Sequence, residues 1–197
     1  MIRLILFFVV VVILWDFFKD PIDLYYFRNP KRIFIAFENF FMDLLYYQPT
    51  YDTKKFKILR DNLEKIHEEF KKVSETLPKK FSHDDDPWFD DNPHYYFYDT
   101  HDFPYTQSLI DTIEGVTDTR FAVMDHDYEL VPHRSEGNHL QYNLTIEEDP
   151  SSYLEIHNGQ RFHYTYGMDV LYNHGRKHSV KKIGPLRRTV LVISINR

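Results

Sequence analysis

The C-terminal half of the chain restricts its fold most. From Arg120 onward, short runs rich in β-branched and aromatic residues alternate with turns: "RFAVMDHDYELVPH", "HLQYNLTI", "SYLEIHNGQRFHYTYG", "MDVLYN", "HSVKKIG" and "RRTVLVISI". Strands at that spacing predict a compact all-β sandwich or barrel. Hydrophobic residues are 43% and aromatic residues 17% of the 197 positions, enough for one real core plus an appendage.

Ahead of the strands lies "YDTKKFKILRDNLEKIHEEFKKVSETLP", in which Phe56, Leu59, Leu63, Ile66, Phe70, Val73 and Leu77 recur at steps of three and four. That stripe predicts one helix over 52–77, capped by Asp52 and stopped by Pro78. It also suits a short coiled coil, but packing on the domain's own sheet is the simpler expectation. Residues 81–105, crowded with Asp, Pro and aromatic residues, predict a long irregular loop whose acids are solvated. "TQSLIDTIEGV" predicts a short helix closed by Gly115.

Residues 1–18, "MIRLILFFVVVVILWDFF", are uncharged from Leu4 to Trp15. The run is short of the roughly 20 residues a full span prefers, and no small-residue cleavage site follows it. The expectation is an uncleaved, single-pass transmembrane anchor in an endoplasmic reticulum-type membrane. A signal peptide and a buried helix are its rivals. Lys19, Arg28, Lys31 and Arg32 favour the following side in the cytosol, whereas Arg3 and the amino terminus pull the other way. Residues 19–51 read as an aromatic lead-in, irregular or partly helical, and 52–197 as the main domain.

Several functions are excluded early. A net charge of −6 leaves no basic stripe for nucleic acid. The absence of cysteine removes disulfides, thiolate zinc sites and iron–sulfur clusters, and leaves 11 histidines as the resource for metal chemistry. There is no Gly-rich phosphate loop and no "GxSxG" elbow. The "NLT" sequon at Asn143 falls in a predicted core strand.

Three positions then stand out. His133 and His178 sit where strands meet a rim, and imidazole suits iron, zinc, copper or nickel; singly, each also reads as a surface or hydrogen-bonded histidine. Arg188 stands at the mouth of the apolar run "TVLVISI", where a charge is costly unless an anion meets it. Alternation puts Val190, Val192 and Ser194 on its side and Arg187 on the other. An acidic residue of the protein is the bland candidate for that anion. His174 and His178 make an HxxxH spacing, but Gly175 and the lack of a Glu after His174 speak against a zinc-binding helix.

In these residues the stretch 119–195 resembles the aspartyl/asparaginyl β-hydroxylase family. Its members are iron(II)- and 2-oxoglutarate-dependent oxygenases built on a double-stranded β-helix. The resemblance rests on "RFAVMDHDYELVPHRSEGNHLQYNLTI", where the family's first metal histidine falls on His133, and on "YGMDVLYNHGRKHSVKKIGPLRRTVLVISI", where its second falls on His178 and its arginine on Arg188. Asn173 matches an Asn often seen ahead of the second histidine, and "NGQRF" a turn between the middle strands. The resemblance implies a mainly β fold with flanking helices, iron(II) on His133 and His178, and 2-oxoglutarate with its distal carboxylate on Arg188, a pairing that guanidinium geometry suits.

Ser135 stands where most non-haem iron sites carry a carboxylate, as the family also lacks that acid; Glu136 is a disfavoured third ligand. Gln141 and Asn143 replace the cationic and imidazole positions of the family's "RxHL", and Ala122 replaces a serine, which weakens the grip on the nearer carboxylate. The implied reaction hydroxylates an Asp or Asn side chain of a protein, or a lipid acyl chain. Two alternatives remain open. One is a lapsed, membrane-tethered binding module acting through residues 84–105. The other is a zinc or nickel cupin enzyme that needs the histidines without 2-oxoglutarate.

Overall fold

The computed structural model describes residues 2–19, 32–45, 50–81, 93–133, 139–156 and 159–196. Its strands are β1 (Thr50–Tyr51), β2 (Tyr95–Asp99), β3 (Val116–Met124), β4 (Tyr128–His133), β5 (His139–Glu147), β6 (Asp149–Ile156), β7 (Gln160–Tyr164), β8 (Asp169–Asn173), β9 (His178–Lys182) and β10 (Arg188–Asn196). They form a six-stranded sheet, β1-β8-β5-β10-β3-β2, and a four-stranded sheet, β4-β9-β6-β7. Every described pairing is antiparallel. The fold is mainly β, as the strand-like runs predict.

Period-two alternation gives the six-stranded sheet two jobs. Ala122, Val190 and Val192 point between the sheets and meet Leu154 and Val180 of the smaller sheet. Phe121, Tyr142, Leu191 and Ile193 point the other way, into a second core covered by helices. The predicted stripe supplies that cover: Phe56, Leu59, Ile66 and Phe70 are fully buried there. Phe56 stacks on Tyr142 with ring centroids 3.8 Å apart and planes 5° from parallel.

The helix predicted over 52–77 is broken. A 3-10 turn at Lys54–Phe56 leads into α3 (Lys57–Asp61), and α4 (Leu63–Ser74) follows Asn62. Asn62 leaves the helical region (φ −114, ψ 17), and its side chain donates to the Ile58 carbonyl at 2.8 Å. Asn competes for helix backbone in this way. The stripe runs on past the break because both pieces lean on the same sheet.

A second difference lies in the predicted loop 81–105. Tyr95–Asp99 forms β2, an edge strand paired with β3. Tyr95 and Phe97 face the inner core while Tyr96 and Tyr98 face the helix-backed one, so alternation is present but shows no polar contrast. A 3-10 turn at Thr100–Asp102 and α5 (Pro104–Ile110) follow. The Glu69 carboxylate accepts from the backbone N–H groups of Tyr105 (2.7 Å) and Thr106 (2.8 Å), capping α5 from α4. Residues 82–92, with the acidic run, lie outside the described residues.

At the amino terminus α1 (Ile2–Lys19) pairs with α2 (Arg32–Leu45), with Phe8 and Trp15 of α1 against Phe40 of α2. The expected transmembrane helix is not borne out: among the described residues no helix is long and apolar enough to cross a membrane. The reason is charge and length. Arg3, Asp16 and Lys19 all fall within α1. The uncharged stretch Leu4–Trp15 reaches about 18 Å at 1.5 Å per residue, against about 30 Å of hydrocarbon.

Candidate metal centre

His133 and His178 are cross-strand partners at the shared end of β4 and β9. Their rings lie 4.3 Å apart. Pro132 has no N–H to give the ladder, and the β4–β9 register slips between Leu130 and His133. That irregularity turns His133 inward, with its Nδ1 2.8 Å from the Val131 carbonyl. His178 repeats the device, its Nδ1 2.8 Å from the Arg176 carbonyl. In both rings Nδ1–H donates to a carbonyl, which fixes the tautomer with its proton on Nδ1.

His174 joins them. Asn173 Oδ1 accepts the Gly175 N–H at 2.9 Å and its carbonyl accepts the Arg176 N–H at 3.1 Å. This tight turn folds His174 back until its ring is 4.4 Å from that of His178. One nitrogen from each of His133, His174 and His178 falls within 4.8 Å of the others. Burial, then the neighbouring histidines, holds His174 and His178 well below the usual imidazole value, so both are neutral. The three imidazoles, with no acid in the cluster among the described residues, make a donor set for a first-row divalent cation.

Away from the histidines, the inner face carries a different chemistry. Tyr172 lies 5.4 Å from the His178 ring and accepts a hydrogen bond at 2.9 Å from Gln141 Nε2, which also donates to Asn143 Oδ1. Gln141 and Asn143 therefore sit beside the histidines, largely occupied with Tyr172 and each other. Ala122 faces the same space, opposite Val190.

Arg188 opens β10 and is 3% exposed, its guanidinium 4.5 Å from the Tyr164 ring. No carboxylate meets it among the described residues, and its Nε is buried without a partner. Tyr164 Oη and Thr145 Oγ1, also on the inner face, are likewise buried and unpartnered. Orphaned buried donors are rare in folded proteins, and three of them facing one space fit a ligand carboxylate. Arg187 does point the other way, bonding Glu147 at 2.5 Å over the helix-backed core.

Sequence reasoning passed over His174 because it tested the HxxxH spacing only as a helix. The usable signal was the turn "NHGR", which brings strand ends together. Ser135 and Glu136 lie outside the described residues.

A family model for aspartyl/asparaginyl beta-hydroxylase matches residues 54–197. The chain belongs to the aspartyl/asparaginyl β-hydroxylase family. The match takes in every strand from β2 to β10 and the helices that back them. No curated protein matches the chain. Among solved structures it is similar to a prolyl hydroxylase from Trichoplax adhaerens, in complex with a hypoxia inducible factor oxygen degradation domain peptide fragment. That likeness has a TM-score of 0.54 at 8% identity, covering 68% of this chain and 78% of that one. A sugar phosphate isomerase of the cupin superfamily from Silicibacter pomeroyi gives 0.44 at 8% identity, covering 63% and 74%. The prolyl hydroxylase likeness, at 8% identity, is one of fold, and it agrees with an oxygenase-like double-stranded β-helix in a hydroxylase family.

Proposed function

We propose that the chain is an iron(II)- and 2-oxoglutarate-dependent dioxygenase that hydroxylates an Asp or Asn side chain of a protein, with a lipid acyl chain as the other substrate class. The carrying observation is the Arg188 guanidinium, held inside an apolar barrel with no carboxylate to meet it among the described residues, while the rim carries a histidine cluster. A dicarboxylate satisfies both ends. His133 and His178 hold the metal through Nε2, fixed in tautomer by the Val131 and Arg176 carbonyls. Arg188 takes the far carboxylate, with Tyr164 Oη and Thr145 Oγ1 as further donors. Iron and 2-oxoglutarate supply the oxidising power when bound. The protein orients the cosubstrate and keeps water out with the inner core.

The test is an anaerobic titration with iron(II), then 2-oxoglutarate, following the visible charge-transfer band of the chelate. The expected band disappears in His178→Ala and weakens in Arg188→Ala, but not in Arg187→Ala. A folded protein with no band would sink the reading. It would favour the lapsed binding module, which the mutual bonding of Gln141, Asn143 and Tyr172 supports. A band-free protein that binds zinc or nickel and is indifferent to Arg188→Ala would point to the cupin alternative.

We propose that the α1–α2 pair inserts into one leaflet of a membrane without crossing it. Aromatic packing occupies one side of α1, yet Leu4 is 77% and Phe7 69% exposed within its uncharged stretch Leu4–Trp15. Flotation of the full chain with liposomes tests it: Leu4→Asp/Phe7→Asp should abolish flotation, and unchanged flotation would refute insertion.

A further inference from the structure

We infer that Tyr172 donates its phenolic proton to the metal-proximal carboxylate of the cosubstrate, and that Gln141 and Asn143 are the positioning residues that aim it. The inference goes beyond the oxygenase reading in naming this donor, and rests on that reading for the identity of the ligand.

Counting protons singles out the phenol. Gln141 and Asn143 are alternate residues of β5 and share its inner face, and Tyr172 is the strand partner of Gln141 on β8. The Gln141 amide nitrogen donates to Asn143 Oδ1 at 2.9 Å and to Tyr172 Oη at 2.9 Å. A side-chain amide has two N–H donors, so both are used. Tyr172 Oη is an acceptor in this network and still has its own O–H to place. Burial pushes the phenol pKa well up, so the group keeps its proton, and Asn143 acts against that shift as a hydrogen-bond partner. Among the described residues no acceptor meets the phenolic proton.

Its place in the chamber says what the acceptor is. Tyr172 is 2% exposed, and its ring lies 5.4 Å from that of His178 and 6.1 Å from that of His174. The phenol thus stands just inside the histidine rim. At the opposite end of the same inner face, Arg188 Nε, Tyr164 Oη and Thr145 Oγ1 are buried without partners. The inner row of β5 runs Gln141, Asn143, Thr145, which sets the two groups of unspent donors four residues apart, about 13 Å along a strand. Buried donors with no acceptor are costly. A ligand with a carboxylate at each end, its keto group and nearer carboxylate turned to the metal, satisfies both groups.

The grip at the rim is then a neutral one. Gln141 and Asn143 stand where the family resemblance expects a cationic and an imidazole group, and neither offers a charge to a carboxylate. Both amides are instead spent on holding one phenol, which presents a single O–H to the ligand. A bond from that neutral donor to a carboxylate is still charge-assisted. Phenylalanine would fill the same space without leaving a proton to place, so packing alone does not call for the hydroxyl.

Tyr172→Phe removes the proton and keeps the ring. The full chain, Tyr172→Phe, Gln141→Leu and Arg188→Met are compared anaerobically, with circular dichroism checking each fold and cobalt(II) affinity checking the histidine cluster. Calorimetry on the iron(II)-loaded protein reads 2-oxoglutarate affinity. The position of the visible charge-transfer band at saturation reads the hydrogen bond on the chelate. The expected result for Tyr172→Phe is an affinity about 10- to 100-fold weaker, a displaced band and unchanged cobalt affinity. Gln141→Leu should displace the band in the same direction, whereas Arg188→Met should lose affinity with the band in place. Unchanged affinity and band in Tyr172→Phe would overturn the inference and leave the oxygenase reading standing; the phenol would then donate to Gln141 in the reversed amide orientation. Weaker affinity with an unmoved band would also overturn it, since Tyr172 would then act through packing. A folded wild-type chain that does not respond to 2-oxoglutarate would refute the oxygenase reading itself, and this donor with it.

Discussion

Arg188→Met should make the ligand-free protein more stable while removing its response to 2-oxoglutarate. The side chain is 3% exposed and no described carboxylate meets it, so the fold carries an uncompensated cation. Such burial costs several kcal/mol after relaxation, of which the Tyr164 ring at 4.5 Å returns about 2 kcal/mol. Methionine keeps the aliphatic stem and drops the charge. A net gain of about 1–3 kcal/mol follows, and at about 2–4 °C per kcal/mol for a domain of this size the melting temperature rises by a few degrees. Ligand reverses the order. At about one hundred times its dissociation constant, 2-oxoglutarate adds about 2.7 kcal/mol to the wild type. Losing one member of a buried charge pair weakens binding by about 2–5 kcal/mol, enough to remove most or all of that increment at the same concentration. The assay is anaerobic thermal unfolding with manganese(II), with and without 2-oxoglutarate, and Arg187→Met beside it as the comparator. A lower melting temperature in Arg188→Met together with an undiminished ligand shift would refute the reasoning, since Arg188 would then be an ordinary structural cation.

Asp149→Ala should destabilise by about 3–5 kcal/mol in chemical denaturation, because it strands Lys182. The two side chains are 1% and 0% exposed and 2.8 Å apart. Burial raises the Asp149 carboxyl, but bonds from Lys182, Ser151 and Ser152 outweigh it and hold the group below its usual value. A depressed folded pKa gives stability that is present above the unfolded value of about 3.9 and lost as pH falls through the folded one. Unfolding midpoints should therefore decline below about pH 4 in the wild type, and Asp149→Asn should lack that component. Phe56→Ala removes the ring stacked on Tyr142 and should cost about 3–5 kcal/mol by urea unfolding, with cobalt affinity in the remaining folded protein unchanged. Gly167 has φ +75, and a Cβ there would meet Leu63 Cδ2 at 3.1 Å; Gly167→Ala should cost about 1–2 kcal/mol in the same assay.

Much of this was legible in sequence because the strands announce themselves by composition and their ends by turn residues. His133, His178 and Arg188 occupy strand ends, where a polar residue against an apolar run is conspicuous. The divergent pointing of Arg187 and Arg188 followed from alternation alone. Other features left weaker traces. Tyr95–Asp99 carried no polar–apolar contrast, since aromatic residues cover both faces of β2. The stripe from Phe56 to Leu77 hid the break at Asn62, because a change of backbone direction need not disturb the spacing of residues that meet one sheet. His174 leaves a weak trace because a spacing of four suggests one turn of helix, whereas here a tight turn between strands closes that distance and brings it beside His178. Gln141, Asn143 and Tyr172 meet only through pairing of β5 with β8, which no local pattern encodes.

Strand β10 divides its labour residue by residue. Arg188, Val190, Val192 and Ser194 line the interior, while Leu191, Ile193 and Ile195 belong to the helix-backed core. Evolution can therefore rewrite the chamber one alternate letter at a time while the intervening letters go on holding the sheet to its helices. Active and silent descendants of one such barrel will look alike in fold. What separates them is the handful of inward letters, so a survey of relatives for catalytic competence should sample those positions and disregard their neighbours.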